Sequence, residues 1–173
     1  MDGNREFHPE TALVVFGQNI RIVRERKGMK LRDLAKEASY DRVCLSKLEW
    51  GEQNITYKIS VKLARTLDVP YPALFSRNFI SVQEEKESGY PNHFKNDDFL
   101  SVFIENFRKS MLRERKEQKQ VYIEGGVTAE AVSRIVRGTE KNPTVKTLYA
   151  MAFTSNSELA DLFSRLQKRE GLF

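Results

Sequence analysis

Leu31-Arg32-Asp33-Leu34-Ala35-Lys36-Glu37-Ala38-Ser39-Tyr40-Asp41-Arg42-Val43-Cys44-Leu45-Ser46-Lys47-Leu48-Glu49-Trp50 reads as two short helices that meet at a turn. Leu31, Leu34, Ala35 and Ala38 recur at helical spacing, and Ser39-Tyr40 interrupts them. Asp41 then stands where a carboxylate can accept from the exposed amides of a second helix. On that helix Leu45 and Leu48 face inward, which leaves Arg42, Val43, Ser46 and Lys47 outside, near its start. A helix laid in the major groove meets base edges with those positions. Arg42 and Lys47 can donate to guanine O6 and N7, and Val43 can touch a thymine methyl. An ordinary helical hairpin with a solvated polar face has the same spacing, so spacing alone leaves both readings open.

The pattern extends outward on both sides. Phe16, Ile20 and Val23 precede it, and Ile59, Leu63 and Leu67 follow it, each set at helical intervals. Gly28, Ser39, Gly51, and Pro70 with Pro72 punctuate the series. Five short helices are predicted, and no alternating strand pattern competes.

With its landmarks in order, this stretch resembles the phage-repressor-like (XRE-type) helix-turn-helix family over about residues 16–75. The resemblance rests on Phe16-Gly17-Gln18-Asn19-Ile20-Arg21, Gly28-Met29, Leu34-Ala35, Leu45-Ser46-Lys47-Leu48-Glu49-Trp50-Gly51, Leu63-Ala64, Leu67 and Leu74-Phe75. It implies a five-helix DNA-binding domain whose third helix enters the major groove. Arg42, Val43, Ser46 and Lys47 would then be the base-reading residues. The family often has Gln where this chain has Leu31, which cannot clamp phosphate; Lys30 and Arg32, with Lys58, are the phosphate-binding candidates instead. Ser39 stands where the family usually has Gly, and Ile55 where it usually has Pro. The resemblance also implies a structural ion pair between Arg24 and Glu49, joining two helices beneath the DNA face.

The 173 residues suffice for two small domains, and a shift of 87 reveals a second, drifted copy. Phe16, Arg21, Arg26, Ser46 and Gly51 fall on Phe103, Arg108, Arg113, Ser133 and Gly138. Thr128 takes the capping place of Asp41, and Val132 and Ile135 take the inward places of Leu45 and Leu48. After one inserted residue, Asn142-Pro143-Thr144-Val145-Lys146-Thr147-Leu148 and Met151-Ala152 match the family's next loop and helix. The expected ion pair falls on Met111 and Val136, so both charges are replaced together.

The organisation read from the sequence is all-α: two tandem lambda-repressor-like five-helix domains. It comprises a flexible arm 1–12, a helix-turn-helix domain 13–79, an acidic linker 80–98 and a degenerate second domain 99–173. Net charge follows the same division: +4 over 1–79, −3 over 80–98 and +4 over 99–173, for +5 in all. Basic blocks suit a polyanion-binding surface.

On the second copy, Ala129, Glu130, Ser133 and Arg134 occupy the outer face. Glu130 can accept from cytosine N4, although near phosphates it repels. Ser133, Arg134 and Arg137 are candidates for auxiliary DNA contact; dimerisation and partner docking are the other duties open to this domain. Phe99, Leu100, Phe103, Ile104 and Phe107 form an apolar stripe, and a last helix is predicted from Ser157 to about Arg169 with Leu159, Leu162, Phe163 and Leu166 on one face. Either stripe suits an intramolecular core or a helix–helix interface.

Other function classes lack their residues. Only one cysteine is present, and His8 and His93 lie far apart in polar stretches, so no metal site is predicted. No phosphate loop, dinucleotide fingerprint or nucleophile elbow occurs, so no cofactor and no enzyme activity are predicted. No apolar run is long enough to span a membrane, and the N-terminus is polar with no apolar signal core, so a cytoplasmic, nucleoid-associated protein is predicted. Cys44, in the first turn of the reading helix, is a candidate redox switch, since a helix N-terminus can lower a thiol's pKa. Trp50 and Tyr40 flank that helix and suit either DNA backbone contact or surface packing.

The sequence therefore predicts a sequence-specific, double-stranded-DNA-binding transcriptional regulator, bacterial or phage-like, acting as a homodimer on an operator, with a protein partner through the C-terminal domain as a further expectation. The competing reading is an interaction module of antitoxin-like or antirepressor type, whose DNA binding is secondary.

Overall fold

The computed structural model describes residues 6–79 and 98–164. Among these the chain is helical, with a single isolated antiparallel bridge between Thr56 and Thr144. The first half holds α1 (Thr11–Arg26), α2 (Leu31–Glu37), α3 (Arg42–Glu49), α4 (Tyr57–Thr66) and a 3-10 helix, Tyr71–Phe75. The second half holds α5 (Phe99–Arg113), α6 (Lys119–Gly125), α7 (Ala129–Val136), α8 (Val145–Thr154) and the short α9 (Leu159–Leu162).

Each helix buries the apolar residues that its spacing places on one side. Phe16, Ile20, Leu34, Leu45, Leu63 and Leu67 are fully enclosed in the first half. Phe103, Phe107, Val132, Ile135, Leu148 and Met151 are enclosed in the second. Asp41 caps α3 by accepting from the Cys44 amide at 2.8 Å, and Thr128 caps α7 by accepting from the Ala131 amide at 3.2 Å.

The two halves agree in detail at a shift of 87, or of 88 beyond the insertion. α7 occupies the shifted bounds of α3, and α8 those of α4. Asn19 donates to the carbonyls of Leu74 and Ser76, and Asn106 donates to those of Leu162 and Ser164. The left-handed residues pair likewise: Gly28 with Arg115, Ser39 with Gly126, Gly51 with Gly138 and Asp68 with Asn156. Those pairs account for all positive-φ residues among the described ones.

Some expectations change. Over residues 6–12 the N-terminal stretch is not a free arm. α1 begins at Thr11, and Phe7 packs on Tyr149 and Phe153 with ring centroids 5.5 and 5.1 Å away. The carboxylate of Glu10 also meets the Lys146 ammonium at 2.6 Å. An apolar ring and an opposite charge on the second half hold the segment down. The predicted last helix is confined to α9 among the described residues, and Leu166 lies outside them. Of the linker, only Asp98 is described, where it caps α5 by accepting from the Ser101 amide. His93 also lies outside the described residues, whereas His8 is exposed, 3.7 Å from Glu6.

The apolar stripe of α5 is spent within the molecule: Phe99, Leu100, Phe103 and Phe107 are buried and Ile104 is half-buried. Tyr71 links the halves through ring contacts to Phe99 and Phe163 at 5.0 and 4.8 Å. Burial pushes the Tyr71 hydroxyl far above its ordinary pKa, and Ser60 partners that hydroxyl at 2.9 Å. The large apolar side chains left exposed on the second half, among the described residues, are Leu112, Tyr122 and Ile123.

Candidate nucleic-acid interface

α3 is held from below and left open above. Its inward residues Leu45 and Leu48 are buried, and α1 lies close against its C-terminal end. The approach is tightest at Gly17, where a Cβ would overlap the carbonyl oxygen of Leu48. Gly51, left-handed at φ 75°, ends the helix under Val14, whose Cγ2 would lie 2.7 Å from a Cβ there.

Arg24 and Glu49 lock the same two helices. Arg24 Nε and Nη2 donate to the two carboxylate oxygens of Glu49 at 2.6 and 2.9 Å, while Nη1 donates to the Met29 carbonyl at 3.0 Å. The Glu49 side chain is 6 % exposed and that of Arg24 12 %. The bond to Glu49 raises the guanidinium's pKa above its ordinary value, against the opposing effect of burial. In the second half Met111 and Val136 occupy these places, both buried. Arg108 Nη2 there donates to the Val136 carbonyl at 2.6 Å, a backbone contact that replaces the ionic one.

The outer face of α3 presents Arg42, Val43 and Lys47 to solvent, with Ser46 half-buried beside them. Val43 is 57 % exposed, a high value for an aliphatic side chain in the first turn of a helix. Among the described residues neither Arg42 nor Lys47 forms a salt bridge, so both cations are available to an outside acceptor. Lys30 is exposed just before α2, and Lys58 is exposed in the first turn of α4. Arg32 is exposed as well, with Asp33 3.3 Å from its Nε. Leu31 is half-buried against the core, so its side chain serves packing.

The flanking aromatics divide. Tyr40 packs on the core, and burial is the main cause that raises its hydroxyl pKa. Trp50 is 64 % exposed, and the Arg21 guanidinium lies 4.8 Å above its ring. This contact joins α1 to the residue that ends α3, 29 positions on, so no local spacing in the sequence announces it.

A helix N-terminus lowers a thiol's pKa, but the surroundings of Cys44 act the other way. The Asp41 carboxylate beside it is the main cause that pushes the thiol's pKa up rather than down, with desolvation adding to it. Asp41 in turn is held below the ordinary carboxylate range, chiefly by the amide of Cys44. The capping anion therefore cancels the thiolate stabilisation that a helix N-terminus offers.

On the second half, Ala129, Glu130, Arg134 and Arg137 are exposed and Ser133 is half-buried. Arg134 is engaged by Glu140 at 3.5 Å, and Arg137 Nε lies 3.4 Å from the Ser133 carbonyl. This face is less cationic and more self-satisfied than that of α3.

Among the described residues no cluster of three or more His, Cys, Asp or Glu could hold a metal, and no helix is long and apolar enough to cross a membrane. Comparison with curated proteins and with solved structures gave no match. Comparison with family models gave one over residues 20–74, described as Helix-turn-helix. That span runs from Ile20 on α1 to Leu74 in the 3-10 helix and contains α2, α3 and α4 whole. The matched span is thus similar to helix-turn-helix domains of the phage-repressor-like (XRE-type) class, a class of DNA-binding regulators.

Proposed function

We propose that this protein is a sequence-specific, double-stranded-DNA-binding transcriptional regulator that reads the major groove with α3. The observation that carries the reading is the pair of unengaged cations, Arg42 and Lys47, on the open face of a helix clamped from behind by Arg24–Glu49 and by the close approach at Gly17. A rigidly seated helix with a free polar face is what base recognition requires, because hydrogen bonds to base edges discriminate only when the donors are held in place. Arg42 and Lys47 donate to guanine, Val43 meets a thymine methyl and Ser46 adds an adaptable hydroxyl. Lys30, Arg32 and Lys58 fix the register by contacting phosphates, which carry affinity but no sequence.

We also propose that the second half is a drifted copy of the same domain. Support comes from the paired left-handed residues, from the matching Asn19 and Asn106 contacts, and from the replacement of Arg24 and Glu49 by the packed Met111 and Val136.

The direct test is selection of bound duplexes from a random pool at physiological salt, followed by titration of the selected duplex. An enriched motif lost on Arg42→Ala or Lys47→Ala supports the reading. Binding that has no motif and fades steeply with salt would leave only phosphate attraction and overturn it.

A further inference from the structure

Four hydrogen bonds join the loop after α3 and the first turn of α4 to the loop after α7 and the first turn of α8, and they form two exchanged pairs. The Tyr57 amide donates to the Pro143 carbonyl at 2.8 Å, and the Val145 amide donates to the Ile55 carbonyl at 2.8 Å. The Lys58 amide donates to the Asn142 side-chain oxygen at 2.9 Å, and the Lys146 amide donates to that of Asn54 at 3.4 Å. At a shift of 88, Asn54 corresponds to Asn142, Ile55 to Pro143, Tyr57 to Val145 and Lys58 to Lys146. Exchanging the halves therefore turns each bond into its counterpart. The bridge uses only the carbonyl of Ile55 and of Pro143, so proline is accommodated there at no cost in hydrogen bonding.

A second contact, made of rings rather than backbone, behaves in the same way. Phe16, Phe75, Phe163 and Phe103 stand in a row with centroid spacings of 5.0, 5.5 and 5.2 Å. Under the shifts, Phe16 becomes Phe103 and Phe75 becomes Phe163, so the row reads the same from either end. Two independent contacts that map onto themselves define an approximate two-fold axis. It passes between Thr56 and Thr144 and between Phe75 and Phe163.

We propose that one chain is an internal pseudo-dimer, in which α3 and α7 read two neighbouring half-sites of unlike sequence on a single duplex. The proposal rests on the reading of α3 given above and adds a second reading face, a stoichiometry and a shape of target. The two-fold relation between the halves matches the dyad relation between half-sites in a duplex. Spacing is compatible: the six or seven residues between each reading helix and the bridge span at most about 20–24 Å. Together these contours set an upper bound that exceeds the roughly 34 Å separating half-sites one turn apart. The halves differ in what they offer. α3 presents Arg42, Val43, Ser46 and Lys47, whereas α7 presents Ala129, Glu130, Ser133 and Arg134. Guanine suits the first set, while Glu130 selects a cytosine N4 and Ala129 a thymine methyl.

The test is selection of bound duplexes with the full-length chain, then native mass spectrometry of the complex and titration of two surface variants. The expected result is one chain per duplex and a motif of two unlike halves about one helical turn apart. Arg42→Ala/Lys47→Ala should erase preference in one half, and Glu130→Ala/Arg134→Ala should erase preference in the other and weaken binding roughly tenfold. An inverted repeat carrying two chains would overturn the proposal, as would a motif confined to one half and indifferent to Glu130→Ala/Arg134→Ala. Either result leaves the reading of α3 standing. Loss of that underlying reading has a separate signature: Arg42→Ala/Lys47→Ala leaves motif and affinity unchanged.

Discussion

Gly17 on α1 lies so close to the Leu48 carbonyl on α3 that no Cβ fits between them. Gly17→Ala would ordinarily favour a helix by about 1 kcal/mol. Here the obstruction is backbone, which cannot swing away as a side chain can. A net loss of about 1–3 kcal/mol is expected, read as a lower midpoint in denaturant. Because α1 seats the reading helix, the same variant should also weaken specific DNA binding. Unchanged stability would show that α1 does not press on α3.

The Arg24–Glu49 pair predicts a non-additive result. Arg24→Met alone strands the buried Glu49 carboxylate and should cost about 3–5 kcal/mol. Arg24→Met/Glu49→Val, which installs the residues present at Met111 and Val136, should recover most of that loss. A double-mutant cycle by chemical denaturation measures the difference. Simple additivity of the two single losses would contradict the structure.

On the DNA face, Arg42→Ala and Lys47→Ala should each weaken the specific complex by about 1–3 kcal/mol and relax selectivity at the base contacted. Lys30→Ala, Arg32→Ala and Lys58→Ala should weaken specific and non-specific complexes alike, each lowering the salt slope by about 1. Fluorescence anisotropy across a salt series separates the two groups.

Cys44 should alkylate slowly at neutral pH, with a rate midpoint above the ordinary thiol value of about 8.5. The Asp41 carboxylate is the cause, so Asp41→Asn should bring the midpoint down. The sign for stability follows. A thiol raised by folding contributes stability that is present below its unfolded pKa and is lost as pH climbs through the folded value. Asp41, held low by its capping bond, contributes stability above its unfolded pKa that is lost as pH falls through the folded value. A midpoint for Cys44 below 8 would reinstate the redox reading.

The ring row packs the two halves on one another, so they should unfold as one unit. Phe163→Ala should cost about 3–5 kcal/mol, and helical signals and Trp50 fluorescence should be lost in a single coincident transition. Two separated transitions would mean that the halves fold independently.

Much of this architecture was legible because it is local. Helical spacing places Leu45 and Leu48 inward, and Asp41 is a capping residue by type, so the position of α3 follows from a few neighbours. The shift of 87 places α7 by the same logic, and Asn106, standing where Asn19 stands, is a further signal of it. What the sequence could not display is how the halves meet. Asn142 and Lys58 lie 84 residues apart, and no periodicity links them. The stripe beginning at Phe99 announces burial without naming what buries it. Phe7 looked like part of a polar arm because its partners, Tyr149 and Phe153, sit in the other half. For Cys44, position alone points to a low pKa, and the Asp41 carboxylate beside it reverses the sign.

The bridge through Asn54 and Asn142 closes within one polypeptide, which bears on gene dosage. A regulator that must first find its twin responds to the square of its own abundance when it is scarce. With both halves tethered, the second is supplied at a local concentration that dilution cannot lower. In the proposed mode, occupancy of the target rises in simple proportion to copy number, without a threshold. In that mode a damaged copy made beside an intact one sequesters no partner subunit.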